Sequence, residues 1–479
     1  MSISRSLSIA ASGLSANARL AEIVSANIAN ALTEGYGRRQ VSLASAPDGG
    51  GVRVNGILRQ TDSTIIGDRR LAQSFQAQAQ TLFGSLQRLE AVTGSAGSGS
   101  GISDRIVALE EALAATGADP SSDIRLGQVL SRLTQVADGL SEGQRTVTQL
   151  RQEADATIAA GVDNLNRMLE RLDGINDQMR RSFGTASDQS GLLDERQVLI
   201  DQIADLVPVR EIPREGGTIA LMTTGGQILL DNSAARIAFT ATPVIEPDMT
   251  LTGGVLSGLT VNGRPQVPGD GGTRFSGGSL AAAFALRDVQ LPAAQNDLDA
   301  LARDLILRFQ DPAVDPSRAI GAAGLLTEAG GPFDPLGEAG LAGRLRVNAA
   351  VDPQQGGALW RLRDGVGATT PGPVGDARQI NAWSLALERP QSLAPGGPTG
   401  GAATLAARIE AGIGTQRREA ERDASYANAR LTGLREAELS RGVDSDQELQ
   451  MLLRVEQAYA ANARVIQAAD EMMRRLMEI

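Results

Sequence analysis

Residues 3–31, ISRSLSIAASGLSANARLAEIVSANIANA, place Ile3, Leu7, Ala10, Leu14, Asn17, Ala21, Val24, Ile28 and Ala31 at spacings that alternate between four and three. Residues 452–476, LLRVEQAYAANARVIQAADEMMRRL, repeat the pattern through Leu452, Val455, Tyr459, Asn462, Ile466, Ala469, Met473 and Leu476. Each is an a/d heptad seam with one Asn on it, and each predicts a long amphipathic helix. At 1.5 Å per residue the stripes run about 42 and about 36 Å, similar enough to lie side by side. One helix cannot bury such a stripe alone. The first and last helices are therefore expected to pair, so that the chain leaves one base and returns to it.

Working inward, TEGYGRRQV (33–41) ends the first helix, with Gly35 and Gly37 at turn positions, and GVRVNGIL (51–58) reads as strand. A helix is expected around 62–93, and GSAGSGSG (94–101) reads as a flexible linker. Residues 121–206 are the longest helical region, with Ser121 and Ser122 as N-cap candidates and a break at SFGTASDQSG (182–191). From Pro208 to about 275, TIALMT (218–223), QILLDN (227–232), RIAFTA (236–241) and LTVNG (259–263) alternate with Gly- and Pro-rich turns. That is an antiparallel β module. Helix returns over 279–310 and about 403–441, while 311–375 is Gly- and Pro-rich around one strand, RLRVNA (344–349).

The fold class is thus mainly α with a β-rich insert: paired terminal helices, a long helical bundle and a β module in the middle. Four units are expected. Residues 1–35 with 442–479 form a terminal coiled coil, and 36–207 with 279–310 and 401–441 form the bundle. Residues 208–278 form a β-rich outer module, and 311–400 a mixed outer segment.

Composition narrows the chemistry. His and Cys are absent and all 45 basic residues are Arg, which removes Ser–His–Asp and Cys–His nucleophilic systems, Schiff-base lysines and the P-loop lysine. The usual zinc ligands are gone as well. A net charge of −11 argues against a nucleic-acid partner. No apolar run approaches the ~18 residues needed to span a bilayer, and the N-terminus has no charged n-region followed by an apolar h-region. No catalytic, metal or cofactor site is expected. Asp194, Glu195 and Arg196 occupy adjacent helical positions that point to different faces, so they read as a solvated face with intrahelical ion pairs. Asn17 and Asn462 are candidates to pair across the seam. Tyr36 and Tyr459 are candidate subunit contacts, with Tyr459 favoured as a packed residue because it sits on the seam.

SGLSANARLAEIVSANIAN (12–30) followed by EGYGRRQV (34–41) resembles the signature of the bacterial flagellar rod, hook and hook-associated proteins. GVDSDQELQMLLRVEQAYAANARVIQAADEMMRRLMEI (442–479) is similar to that family's closing helix. The interior, with NLNRMLERLDGIND (164–177), LLDERQVLIDQIADLV (192–207) and GGSLAAAFALRDVQLPAAQNDLDALARDL (277–305), resembles the members that join hook to filament. EGYGRR stands where the family more usually has Pro-Gly-Tyr-Ser-Arg, and the middle is short for the family.

The resemblance implies a structural axial subunit and no enzyme. It implies export through the flagellar type III apparatus without a cleaved signal, and a place outside the cell at the hook–filament junction. The implied partners are copies of itself, the hook protein, a second junction protein and an export chaperone on the C-terminal helix, with no membrane insertion. The implied assembly surface is Ile3, Leu7, Leu14, Asn17, Val24, Ile28 and Tyr36 with Leu452, Val455, Tyr459, Asn462, Ile466, Met473 and Leu476. Two alternatives remain: another axial subunit of hook or rod, and a carboxylate-based extracellular glycan hydrolase. The long helices of 121–206 disfavour the first. The scarcity of sugar-stacking aromatics, with Trp360 and Trp383 the only tryptophans, disfavours the second.

Overall fold

The computed structural model describes residues 3–46, 50–184, 188–268 and 273–477. Helix α1 (Ile3–Ala29) leads into an antiparallel ribbon of β1 (Arg38–Ser45) and β2 (Val52–Gln60), with Val41 opposite Ile57 and a register shift between Ser42 and Leu43. Four helices follow: α2 (Ser63–Thr93), α3 (Ile102–Ala118), α4 (Asp123–Ser182) and α5 (Ser190–Leu206). Within the expected break at 182–191, residues 185–187 lie outside the described residues.

Strands β3 (Val209–Pro213), β4 (Ile219–Thr223) and β5 (Ile228–Leu230) make one antiparallel sheet, and β6 (Ile237–Ala238), β7 (Leu259–Val261) and β8 (Arg264–Gln266) another. Helix α6 (Gly278–Ala285) passes through a π-turn, Leu286–Gln290, into α7 (Leu291–Gln310). Strand β9 (Leu326–Glu328) pairs with β10 (Leu345–Val347) near two single-turn helices, α8 (Leu341–Arg344) and α9 (Arg361–Asp364), and α10 (Arg378–Glu388) follows. The described chain closes with α11 (Ala402–Ser440) and α12 (Ser445–Met477). Among the described residues no helix is long and apolar enough to cross a membrane.

The 60-residue α4 is the spine, about 90 Å long at 1.5 Å per residue. Ser122 caps it by accepting from the Arg125 N–H, and Asp123 in its first turn and Arg180 and Arg181 in its last match the helix dipole. Its apolar stripe feeds two cores. Leu126, Leu133 and Leu140 pack with α3, α7 and the start of α11, and with Leu325, Leu345 and Trp383 from the segment 311–400. Ile158, Leu165 and Leu172 pack with α5, α6 and the β module.

Between the two cores the fully buried Arg287, on the π-turn, donates to Asp155 of α4 at 2.6 Å and to the Ser257 carbonyl at 2.9 Å. Asp155 also accepts from the Thr242 N–H at 2.7 Å. One ion pair therefore ties the long loop between β6 and β7 to the spine.

The stretch 94–101 is not the flexible linker expected from its composition. The Asp104 carboxylate accepts from the N–H groups of Gly97, Gly99 and Gly101 at 3.1, 2.7 and 3.2 Å. The buried Glu410 of α11 accepts from the Ser103 N–H at 2.8 Å and its hydroxyl at 2.6 Å. Glycines without side chains leave their amides free to converge on a carboxylate, so the loop is a folded cap on α3.

Candidate functional site

The terminal helices pair antiparallel. A Cβ on Gly13 would lie 2.8 Å from the Asn462 amide nitrogen, and the Asn27 amide donates to Glu448 at 3.2 Å, so α12 descends as α1 ascends. Asn462 faces Gly13, one turn from Asn17, rather than meeting that Asn across the seam. From α1 the pair buries Ala10, Ala16, Ile23, Val24 and Asn27, but from α12 only Glu448, Val455 and Ala469. Ile3, Leu7, Leu14, Asn17, Ile28, Leu452, Asn462 and Ile466 are half-buried.

Tyr459 is 48% exposed, against the expectation that its place on the seam packs it. Met473 and Leu476 are exposed as well. Leu449 and Leu453, one turn apart, are also exposed, as are Val465 and Met472. A helix that stays apolar on several sides after pairing has more surface than its partner covers.

Below this pair lies a polar joint. Gly35 takes the left-handed conformation at φ +77, where a Cβ would meet Val198 at 2.5 Å, and a Cβ on Gly37 would meet the Arg59 side chain at 2.4 Å. These glycines let the turn close onto α5. Tyr36 then donates its hydroxyl to Asn27 at 2.8 Å and lies under the Arg39 guanidinium, 4.9 Å from the ring centre. Burial pushes its phenol up, opposed by the charge of Arg39. Asn27 is saturated, because its amide also exchanges hydrogen bonds with the backbone of Arg39 at 2.9 and 3.0 Å. Glu448, only 2% exposed, accepts from Arg38 at 2.7 Å.

Asp194 closes the joint from α5. It accepts from the Gly37 N–H at 3.0 Å, from Arg39 at 2.8 Å and from Arg59 at 2.7 Å, and Arg59 donates onward to Gln197 at 2.6 Å. The expected solvated face with intrahelical pairs is therefore wrong for Asp194, and for its neighbours only the exposure of Glu195 stands. Glu195 pairs with Arg171 of α4 at 2.6 Å, and Arg196 donates to the Gly217 carbonyl at 2.8 Å. Adjacent positions do point to different faces, but each face meets another element. Arg59 and Glu448 escaped sequence reasoning because their partners lie far away in the chain, and Asn27 because only the folded turn brings Tyr36 and Arg39 back onto it. Tyr36 comes to the joint as an intramolecular contact. A cleft of about 480 Å³ separates the 31–38 turn from α2, α5 and α11.

Family models match in three places. The model of the flagellar hook-associated protein FlgK helical domain covers residues 86–311, that of the C-terminal region of flagellar basal body rod FlgEFG proteins covers 440–479, and that of the flagella basal body rod protein covers 7–36. Flagellar hook-associated protein 1 of Salmonella typhimurium is 26% identical over 308 residues, which is 61% of this chain and 53% of that protein. Its counterpart in Escherichia coli K12 is 25% identical over 61% of this chain and 54% of its own length. The chain thus spans about half the length of these relatives. Flagellar hook-associated protein 1 of Bacillus subtilis 168 is 22% identical over 98% of this chain and 97% of its own length. The flagellar hook junction protein FlgK of Burkholderia pseudomallei superposes with a TM-score of 0.43 at 21% identity, over 55% of this chain and 46% of that one.

Proposed function

We propose that this chain, which resembles flagellar hook-associated protein 1 at both ends and through its long helical domain, is a structural axial subunit joining hook to filament in the bacterial flagellum. The observation that carries the reading is α12, whose Leu453, Val465, Met472 and Leu476 stay exposed after it has paired with α1. Open helical tubes form from heterologous contacts that do not close on themselves. In such a tube neighbouring terminal helices cover these side chains, and the ends complete their packing on assembly. Residues 1–35 and 442–479 would then form the inner tube, carrying the ribbon of 38–60 packed on α1, with the helical bundle of 62–207, 279–310 and 401–441 around it. Segments 208–278 and 311–400 would face outward. The subunit reaches its place by type III export with a chaperone on α12, the hook protein on one side and a second junction protein on the other.

Electron microscopy of cells lacking the gene tests this. Hooks without filaments, with flagellin lost to the medium, are expected. Cells without hooks would instead assign the chain to the rod or hook.

A further inference from the structure

None of the three apolar clusters formed by the described residues takes a side chain from α1, β1, β2 or α12. The terminal unit is therefore attached to the bundle without a shared apolar core. The chain crosses between them twice, at Thr61–Asp62 and at Arg441–Asp444. Both crossings are helix caps: Asp62 accepts from the Thr64 and Ile65 N–H groups at 3.0 and 3.2 Å, and Asp444 from those of Asp446 and Gln447 at 3.0 and 3.1 Å. An ion pair between Arg441 and Asp62 ties the crossings together. Two short crossings side by side leave rotation about the line through them cheap, because such a rotation stretches no backbone and exposes no apolar core.

A third attachment opposes that rotation. Asp194 and Gln197 of α5 hold Gly37, Arg39 and Arg59 of the terminal unit at 2.6–3.0 Å. The cleft of about 480 Å³ lies between this attachment and the crossings, so no packed side chains fill that part of the boundary between the two bodies. We infer that the terminal helix pair and its ribbon move as one body on a hinge at 61–62 and 441–444, and that the Asp194 carboxylate is the latch fixing their angle to the bundle. The latch is made of charge-assisted hydrogen bonds, which are directional and lost together once the carboxylate moves away. The joint thus has one held angle and a released state.

The chain contains no Cys, so two introduced thiols label it uniquely. Ser15→Cys on α1 and Ser425→Cys on α11 are both exposed positions, one on each body. Nitroxide labels at these sites should give a single narrow distance distribution in the otherwise unaltered full chain, measured by pulsed dipolar electron resonance. Asp194→Asn, an isosteric change, should broaden the distribution and shift its mean while the main thermal transition of the bundle keeps its midpoint. Arg59→Gln attacks the latch from the other body and should do the same, which decides the matter if Asp194→Asn fails to fold. An unaltered distribution in the variant that folds would overturn the latch. A broad distribution already present in the parent would overturn the held angle.

Discussion

The Asp194 carboxylate lies 2.7 Å from Nε of Arg59, a residue 135 positions away in the chain. Both side chains are largely covered, at 17% and 10% exposure. Asp194→Ala would take the acceptor from Arg39, from Nε of Arg59 and from the Gly37 N–H, while Arg59 keeps Gln197 and the Gly35 carbonyl. Stranded buried donors cost about 1–3 kcal/mol, and partial exposure keeps the sum near the lower end of the buried ion-pair range. Glu195→Ala removes only a solvent-screened pair with Arg171. Amide hydrogen exchange should separate them. Protection in β1 and the 35–39 turn falls in the first variant and is unchanged in the second; equal effects would contradict the joint.

Asp155 and Arg287 form the fully buried pair that holds the loop between β6 and β7 to the spine. Asp155→Ala leaves Arg287 with Asp288 as its remaining carboxylate, while the Thr242 N–H loses its acceptor. Removal of one partner from such a pair costs about 3–5 kcal/mol. Denaturant titration should report a loss of that order, and a loss below about 1 kcal/mol would mean that the loop is held by its other contacts.

Glu410 supplies a pH-dependent term. Burial raises its pKa above the ordinary value of 4.5, with the Ser103 hydroxyl and N–H pulling the other way. A carboxyl raised in the folded state binds its proton more tightly there than in the unfolded chain. Its contribution is therefore full below the unfolded value and is lost as pH rises through the folded one. Glu410→Gln keeps the shape and an acceptor for the Ser103 N–H. The variant should lose part of the decline in stability as pH rises above the ordinary value of 4.5, read from melting curves at successively higher pH. An unchanged pH profile would place the titrating group elsewhere.

The elements that were legible in sequence are those with many local repeats of one signal. The seams at Ile3–Ala31 and Leu452–Leu476 and the stripe of α4 each repeat an apolar position every turn, and the β module advertises itself by alternation and turn residues. The turn glycines Gly35 and Gly37 were legible as breakers, although their reason, the passage of Arg59 and the contact with Val198, was not. The joint was illegible because it is made by single polar residues meeting across the fold. Asp194, Glu195 and Arg196 look alike on a helix, and only tertiary packing turns one of them inward. Composition misled at 94–101, where Gly and Ser read as slack chain until Asp104 supplied something for their amides to bind. Tyr459 sits on the seam pattern yet stays 48% exposed, because a one-helix pattern does not encode how far the partner helix covers it.

Leu453→Asp and Leu476→Asp test most directly whether α12 is an assembly surface. These side chains are 59% and 62% exposed, so a charge at either position costs the isolated subunit little and must act, if it acts, through a neighbour. Secretion, melting and filament formation should be measured together in cells carrying each variant. Protein that melts like the parent and is exported is expected, with hooks left bare and flagellin in the medium. Exported variants of both that sit at the hook tip and support filaments of normal length would show that α12 is not an assembly surface.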